Sequence, residues 1–133
     1  LLEGVAVGLV VAIILFILNY SQVNVVKYVL TGRNYRSNVE RAAPYDWILN
    51  EEGEQLHIIK LQGYIFFGTA QKLFDQVKVR LDSSSQLSLR YLIFDFRHVT
   101  GIDSSTLNGF EKMKQLCESR EITLVFTEIS RKL

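Results

Sequence analysis

The chain has 133 residues, a formal net charge of +1, two histidines and a single cysteine. So even a balance gives no basic field for nucleic acid, one cysteine excludes an internal disulfide, and the His and Cys count leaves no zinc-ligand pattern. Nearly half of the residues are apolar (48%), and the excess is concentrated at the start of the chain.

Leu1–Leu18 reads LLEGVAVGLVVAIILFIL, with Glu3 as its one charge. As a helix it would be about 27 Å long, against a hydrocarbon core of about 30 Å, so a transmembrane helix is predicted over residues 1–20. A signal peptide would need a basic leader and a small-residue cleavage site, whereas Tyr20, Gln22 and Asn24 follow instead. A buried helix of a soluble protein is the third reading. Lys27, Arg33, Arg36 and Arg41, opposed by Glu40, follow the span. The excess of positive charge puts what comes next in the cytoplasm. Gly4 and Gly8 form a GxxxG pair at which a second helix can approach closely.

Residues 21–44 are expected to hold a juxtamembrane helix and a linker. Val23, Val26 and Leu30 fall at i, i+3 and i+7, as in a short amphipathic helix at the membrane surface, and Gly32 can end it. Arg33 to Pro44 is polar and contains the only proline, as a linker would.

Residues 45–133 read as one small α/β domain. Tyr45–Leu49 and Leu56–Leu61 are predicted strands joined as a hairpin through Glu51, Glu52 and Gly53. Gly63 and Gly68 bracket a short apolar connector, Tyr64–Phe67. Thr69 can then cap a helix with Leu73, Val77 and Leu81 on its inner face and Phe74 beside them. A polar loop at Ser83–Ser85 leads to a buried strand, Tyr91–Phe96. A second helix follows, with Leu107, Phe110, Met113 and Cys117 inward and Leu116 alongside, and Ile122–Phe126 is another buried strand. The order β-β-α-β-α-β predicts a mixed sheet with parallel central strands and right-handed crossovers. Two helices barely cover four strands. Together with the non-Met start, this leads us to expect a piece cut at both ends, with the C-terminal part of the domain missing.

Asp103, Ser104, Ser105 and Thr106 stand where a strand gives way to a helix. The residue types fit an N-cap, in which Asp103 accepts from first-turn N–H groups. They also fit an anion or phosphorylation site, because a helix N-terminus favours negative charge. Asp95, His98 and Ser104 invite comparison with a hydrolase triad, but the G-x-S-x-G elbow is absent. No catalytic residue, metal site or cofactor is therefore expected. His57 reads as a half-exposed strand residue. Phe66, Phe67 and Phe74 read as core or as an interface.

LQGYIFFGTAQKL (Leu61–Leu73) and YLIFDFRHVTGIDSSTLNGF (Tyr91–Phe110) resemble the STAS domain of the SulP family of anion permeases. GRNYRSNVER (Gly32–Arg41), after YSQVNVVKYVL, resembles the join between the last membrane helix and that domain. The resemblance implies a STAS-like mixed sheet with helices, preceded by the last transmembrane helix of a permease. It implies the cytoplasmic regulatory or assembly domain of a secondary active transporter for sulfate, bicarbonate or related anions, multi-pass in the plasma (inner) membrane. The partners it implies are the membrane, the chain's own transmembrane domain, a second copy, and a cytosolic regulatory protein or nucleotide, with no nucleic acid. STAS domains also resemble anti-sigma-factor antagonists, in which a serine directly after the motif Asp is phosphorylated, and the matching residue here is Ser104. Thr106 and Asn108 stand where those proteins commonly carry glycines. A membrane-tethered phospho-switch of that kind is the alternative.

Overall fold

The computed structural model describes residues 1–21, 24–35, 43–83 and 89–130. The first helix, α1 (Leu2–Ser21), contains no proline, and no residue of its Leu2–Asn19 stretch is buried. It is long and apolar enough to cross a membrane by length and composition. A soluble core helix would be covered by its neighbours, and this one is not.

Where a juxtamembrane helix was expected, the chain forms a strand, β1 (Val26–Thr31). Val23 lies outside the described residues. The apolar spacing fits a helix, but Val25, Val26 and Val29 are β-branched and suit a strand, and a partner strand satisfies the backbone. That partner is β2 (Leu56–Ile65). The two run antiparallel from Thr31 opposite His57 to Val26 opposite Leu61. The sheet therefore takes in residues upstream of the expected boundary at residue 45.

The expected strand at Tyr45–Leu49 is instead a helix, α2 (Ala43–Glu52), so the hairpin forms between β1 and β2. Pro44 sits in the first turn of α2, where its missing N–H costs nothing, and Asp46 suits the positive helix end. No residue of α2 is buried, and Tyr45, Trp47 and Ile48 are exposed. Of the expected linker, residues 36–42 lie outside the described residues.

The strand β2 runs on through the expected connector to Ile65, with Gly63 at φ +76° beside a register shift. That backbone conformation is open to glycine at little cost. Helix α3 (Phe67–Ser83) buries Leu73, Val77 and Leu81 as its 3.6-residue period requires. Thr69 lies inside its first turn rather than at its cap. Ser83 closes α3, and residues 84–85 of the expected loop lie outside the described residues. Strand β3 (Tyr91–Ile102) is twice as long as expected, helix α4 (Leu107–Ser119) follows, and β4 (Thr123–Thr127) ends the sheet.

The strand order is β1-β2-β3-β4, antiparallel for the first pair and parallel for the other two. This is a mixed α/β sheet. Helices α3 and α4 pack over Ile59, Leu61, Leu92 and Phe94, with Met113 and Cys117 closing the core. Phe94 and Phe96 meet Phe110 and Phe126 in tilted, stacked and edge-on pairs 5.7–6.4 Å apart. On the opposite face Leu30, Ile58, Ile93 and Val125 form one half-buried row across all four strands. Three expectations fail on burial. Leu107 is exposed at the helix start, His57 is buried, and β4 is half-buried because it is an edge.

Candidate functional site

The parallel strands β2 and β3 end side by side, and each feeds a helix. Asp103 N–H donates to Ile65 C=O at 2.9 Å and holds the two junctions together. Both turns are pinned by a fully buried threonine three residues in. Thr69 Oγ1 accepts from Phe66 N–H at 2.9 Å and donates to Phe66 C=O, and Thr106 Oγ1 donates to Asp103 C=O at 2.6 Å. The Thr69 hydroxyl satisfies the Phe66 N–H, whereas the Phe66 and Asp103 carbonyls already accept from Ala70 N–H and Thr106 N–H and take the threonine hydroxyls as second donors.

Asp103 is the cap of the short 3₁₀ turn Ser104–Thr106 that precedes α4. Its Oδ1 accepts from Ser105 N–H at 3.4 Å and from the Ser104 hydroxyl at 3.2 Å, and its Oδ2 accepts from the Ser105 hydroxyl at 3.1 Å. The Ser105 hydroxyl, in turn, accepts from Phe67 N–H at 3.1 Å. A relay thus runs from the first N–H of α3 through Ser105 to Asp103. The Ser105 bonds, with those of Ser104, hold the Asp103 carboxyl below the usual carboxylate range. All four expected residues are brought together, in unequal roles: Thr106 is buried structure, Ser105 bridges the helices, Asp103 supplies the charge, and Ser104 is exposed.

The chemistry follows from this arrangement. The positive ends of the turn and of α4 are already met by the Asp103 carboxylate. A free anion would have to displace it, whereas modification of the exposed Ser104 hydroxyl would add charge beside it. Two residues of the considered triad, Asp95 and Ser104, are engaged elsewhere. Asp95 Oδ1 accepts from Arg97 N–H at 2.9 Å, Ser104 donates to Asp103, and His98 is exposed on β3. Burial pushes the Cys117 thiol up to about 11, so it is an inert core residue. Among the described residues, no three His, Cys, Asp or Glu side chains converge as metal ligands.

A hollow of about 440 Å³ lies beside the turn, lined by Phe67, Gly68, Ser105, Gly109 and Lys112 and by Ile17 from α1. The helices meet closely there, since a Cβ on Gly109 would stand 3.1 Å from the Ala70 methyl. Phe67 and Leu107 are 58% and 67% exposed at this end of the domain, although sequence periodicity placed Leu107 inside. The signal for their exposure is positional: each is the first residue of its helix, before the inward stripe begins. A larger hollow of about 740 Å³, between β1 and α3, shares no residue with the Asp103 turn.

Over 97% of its length the chain is 28% identical to part of the vacuolar basic amino acid transporter VSB1 of Saccharomyces cerevisiae. It spans only 13% of that protein. Among solved structures, Mglu shares 16% identity with it at a TM-score of 0.51, over 80% of this chain and 20% of that one, which is a likeness of fold alone. The STAS domain pattern matches residues 48–133, from within α2 to Leu133. With β2, α3, β3 and α4 in the order described and the Asp103 turn between β3 and α4, the chain belongs to the STAS domain family.

Proposed function

We propose that this chain is the membrane-anchored, non-enzymatic STAS domain of a secondary active transporter, joined to the transporter's last membrane span. The observation that carries the proposal is the pairing of the unburied apolar stretch Leu2–Asn19 of α1 with a sheet that begins after four intervening residues and continues into the STAS match. The sequence that carries this pairing is 28% identical, over 97% of its length, to a segment of a protein named as a transporter. The Lys and Arg residues after α1 favour a cytoplasmic domain, and the resemblance to SulP permeases favours the plasma (inner) membrane and an inorganic anion of the sulfate or bicarbonate class. In this reading the domain regulates or assembles the membrane portion, and Ser104 is its point of modification.

A second substrate class is favoured by a specific observation, the relative named for basic amino acids. The two are separated by uptake of labelled sulfate, bicarbonate, arginine and lysine into cells expressing the whole gene, against cells lacking it. Gene-dependent sulfate or bicarbonate uptake supports the anion reading, and arginine or lysine uptake replaces it. Absence of all transport, with a protein lacking further spans, would favour the membrane-tethered phospho-switch.

A further inference from the structure

The short connection between α1 and the sheet fixes which end of the domain meets the bilayer. Residues 22–25 are all that separate Ser21 from Val26, a reach of at most about 18 Å. That connection is not free along its whole length. Gln62 N–H donates to Val25 C=O at 2.8 Å and the Gln62 amide donates to Asn24 C=O at 3.3 Å, so the chain is bound to β2 from Asn24 onward. Strand β2 runs opposite to β1. Beyond Leu61, the partner of Val26, it continues back toward α1 for four more residues, about 13 Å, to Ile65. The junctions with α3 and α4 lie at that tip, level with the end of α1, and Ile17 lines the same hollow as Phe67 and Ser105.

We propose that this tip is the membrane-facing surface of the domain, and that Phe67 and Leu107 seat in the lipid headgroup layer beside α1. The inference rests on reading α1 as a membrane span. Phe67 and Leu107 project from adjacent helix starts, and Tyr64 is 44% exposed near them at the same end. Lys112, which lines the adjoining hollow, is set against Asp103 in the turn, so these two formal charges cancel and the surface seats by its apolar side chains without requiring an anionic lipid. A second exposed aromatic pair, Tyr45 and Trp47 on α2, is excluded by the same geometry. It adjoins the turn before Leu56, at the far end of a ten-residue strand that is about 30 Å long. The Asp103–Ser104 turn therefore faces the membrane side, where a charge added to Ser104 would act on the contact between domain and bilayer.

The test uses the whole chain reconstituted into phosphatidylcholine vesicles, with Leu107→Cys carrying an environment-sensitive fluorophore. Cys117 is buried and leaves the label on position 107. Trp47, the only tryptophan, is a built-in reference at the far end. Lipids bearing a nitroxide on the headgroup should quench the label about twofold, as expected for a side chain at headgroup depth, and leave Trp47 emission unchanged. Phe67→Cys should behave in the same way. Flotation with the vesicles reports insertion of α1 separately. A chain that floats but whose labels are unquenched, or whose Trp47 is quenched as strongly, overturns the proposal while the membrane reading stands. A chain that does not float overturns both.

Discussion

Ser105 Oγ accepts from Phe67 N–H and donates to Asp103, whereas the neighbouring Ser104 hydroxyl reaches Asp103 alone and points to solvent. Replacement should separate the two. Ser105→Ala leaves the first N–H of α3 without its side-chain partner and should cost about 1 kcal/mol, while Ser104→Ala should melt within error of the parent. Equal losses in thermal melts would show that the relay has no special part in joining the helices. The buried His57 makes a pH prediction. Its Nδ1 has no hydrogen-bond partner, and burial lowers its pKa, with Arg80 adding to the effect and Glu54 opposing it. Above pH 6.5, the ordinary value, both folded and unfolded chains hold it neutral and its linkage costs nothing. As pH falls through 6.5 toward the lowered folded value, the unfolded chain takes up the proton first, and stability is lost. His57→Leu should remove that loss between pH 7.5 and 5.5 in urea denaturation, and the change breaks no hydrogen bond of Nδ1. A parent whose midpoint is the same at both pH values would show that His57 titrates alike in both states.

Strand β1 is the element whose removal tests the architecture most directly. A domain beginning at Pro44, a boundary that the sequence invites, lacks β1 and bares the edge of β2 from His57 to Leu61. One beginning at Asn24 keeps the pair and its Gln62 anchors. The longer version should melt cooperatively and the shorter one should aggregate or melt without a transition, since an unpaired edge beside a half-covered core invites association. Equal cooperative melting would mean that β1 is an accessory to the sheet. The elements that the apolar spacing located are α3, α4, β4 and the first halves of β2 and β3, while the C-terminal extensions of those two strands went unread. The spacing failed at 26–30 and 45–49 for one physical reason. Three or four apolar residues in a short run satisfy a helix and a strand alike, and the deciding partner of β1 lies some thirty residues downstream in β2. The Asp103 turn was legible because a cap is a local pattern. The bond from Phe67 to Ser105 joins residues 38 apart and left no local trace.

At the scale of the whole molecule, the connection of residues 22–25 converts a contact between domain and bilayer into an intramolecular one. Its shortness should therefore set how often the tip is seated. Inserting about twelve Gly and Ser residues after Ser21 lengthens the stretch between α1 and the anchored Asn24 from two residues to about fourteen, nearly three doublings, at about 0.6 kcal/mol of closure entropy each. The ratio of seated to free domain should then fall about fifteenfold, since 1.4 kcal/mol is a factor of ten. Because the insertion lies before Asn24, it leaves every hydrogen bond of the β1–β2 pair in place. Thermal melting of the domain should be unchanged while headgroup quenching at position 107 declines. In the complete transporter the same insertion should shift the uptake rate at constant membrane abundance if the seated domain regulates transport. Loss of quenching with unaltered uptake would separate seating from regulation and leave the domain a role in assembly. Undiminished quenching would mean that Phe67 and Leu107 hold the bilayer without help from the tether.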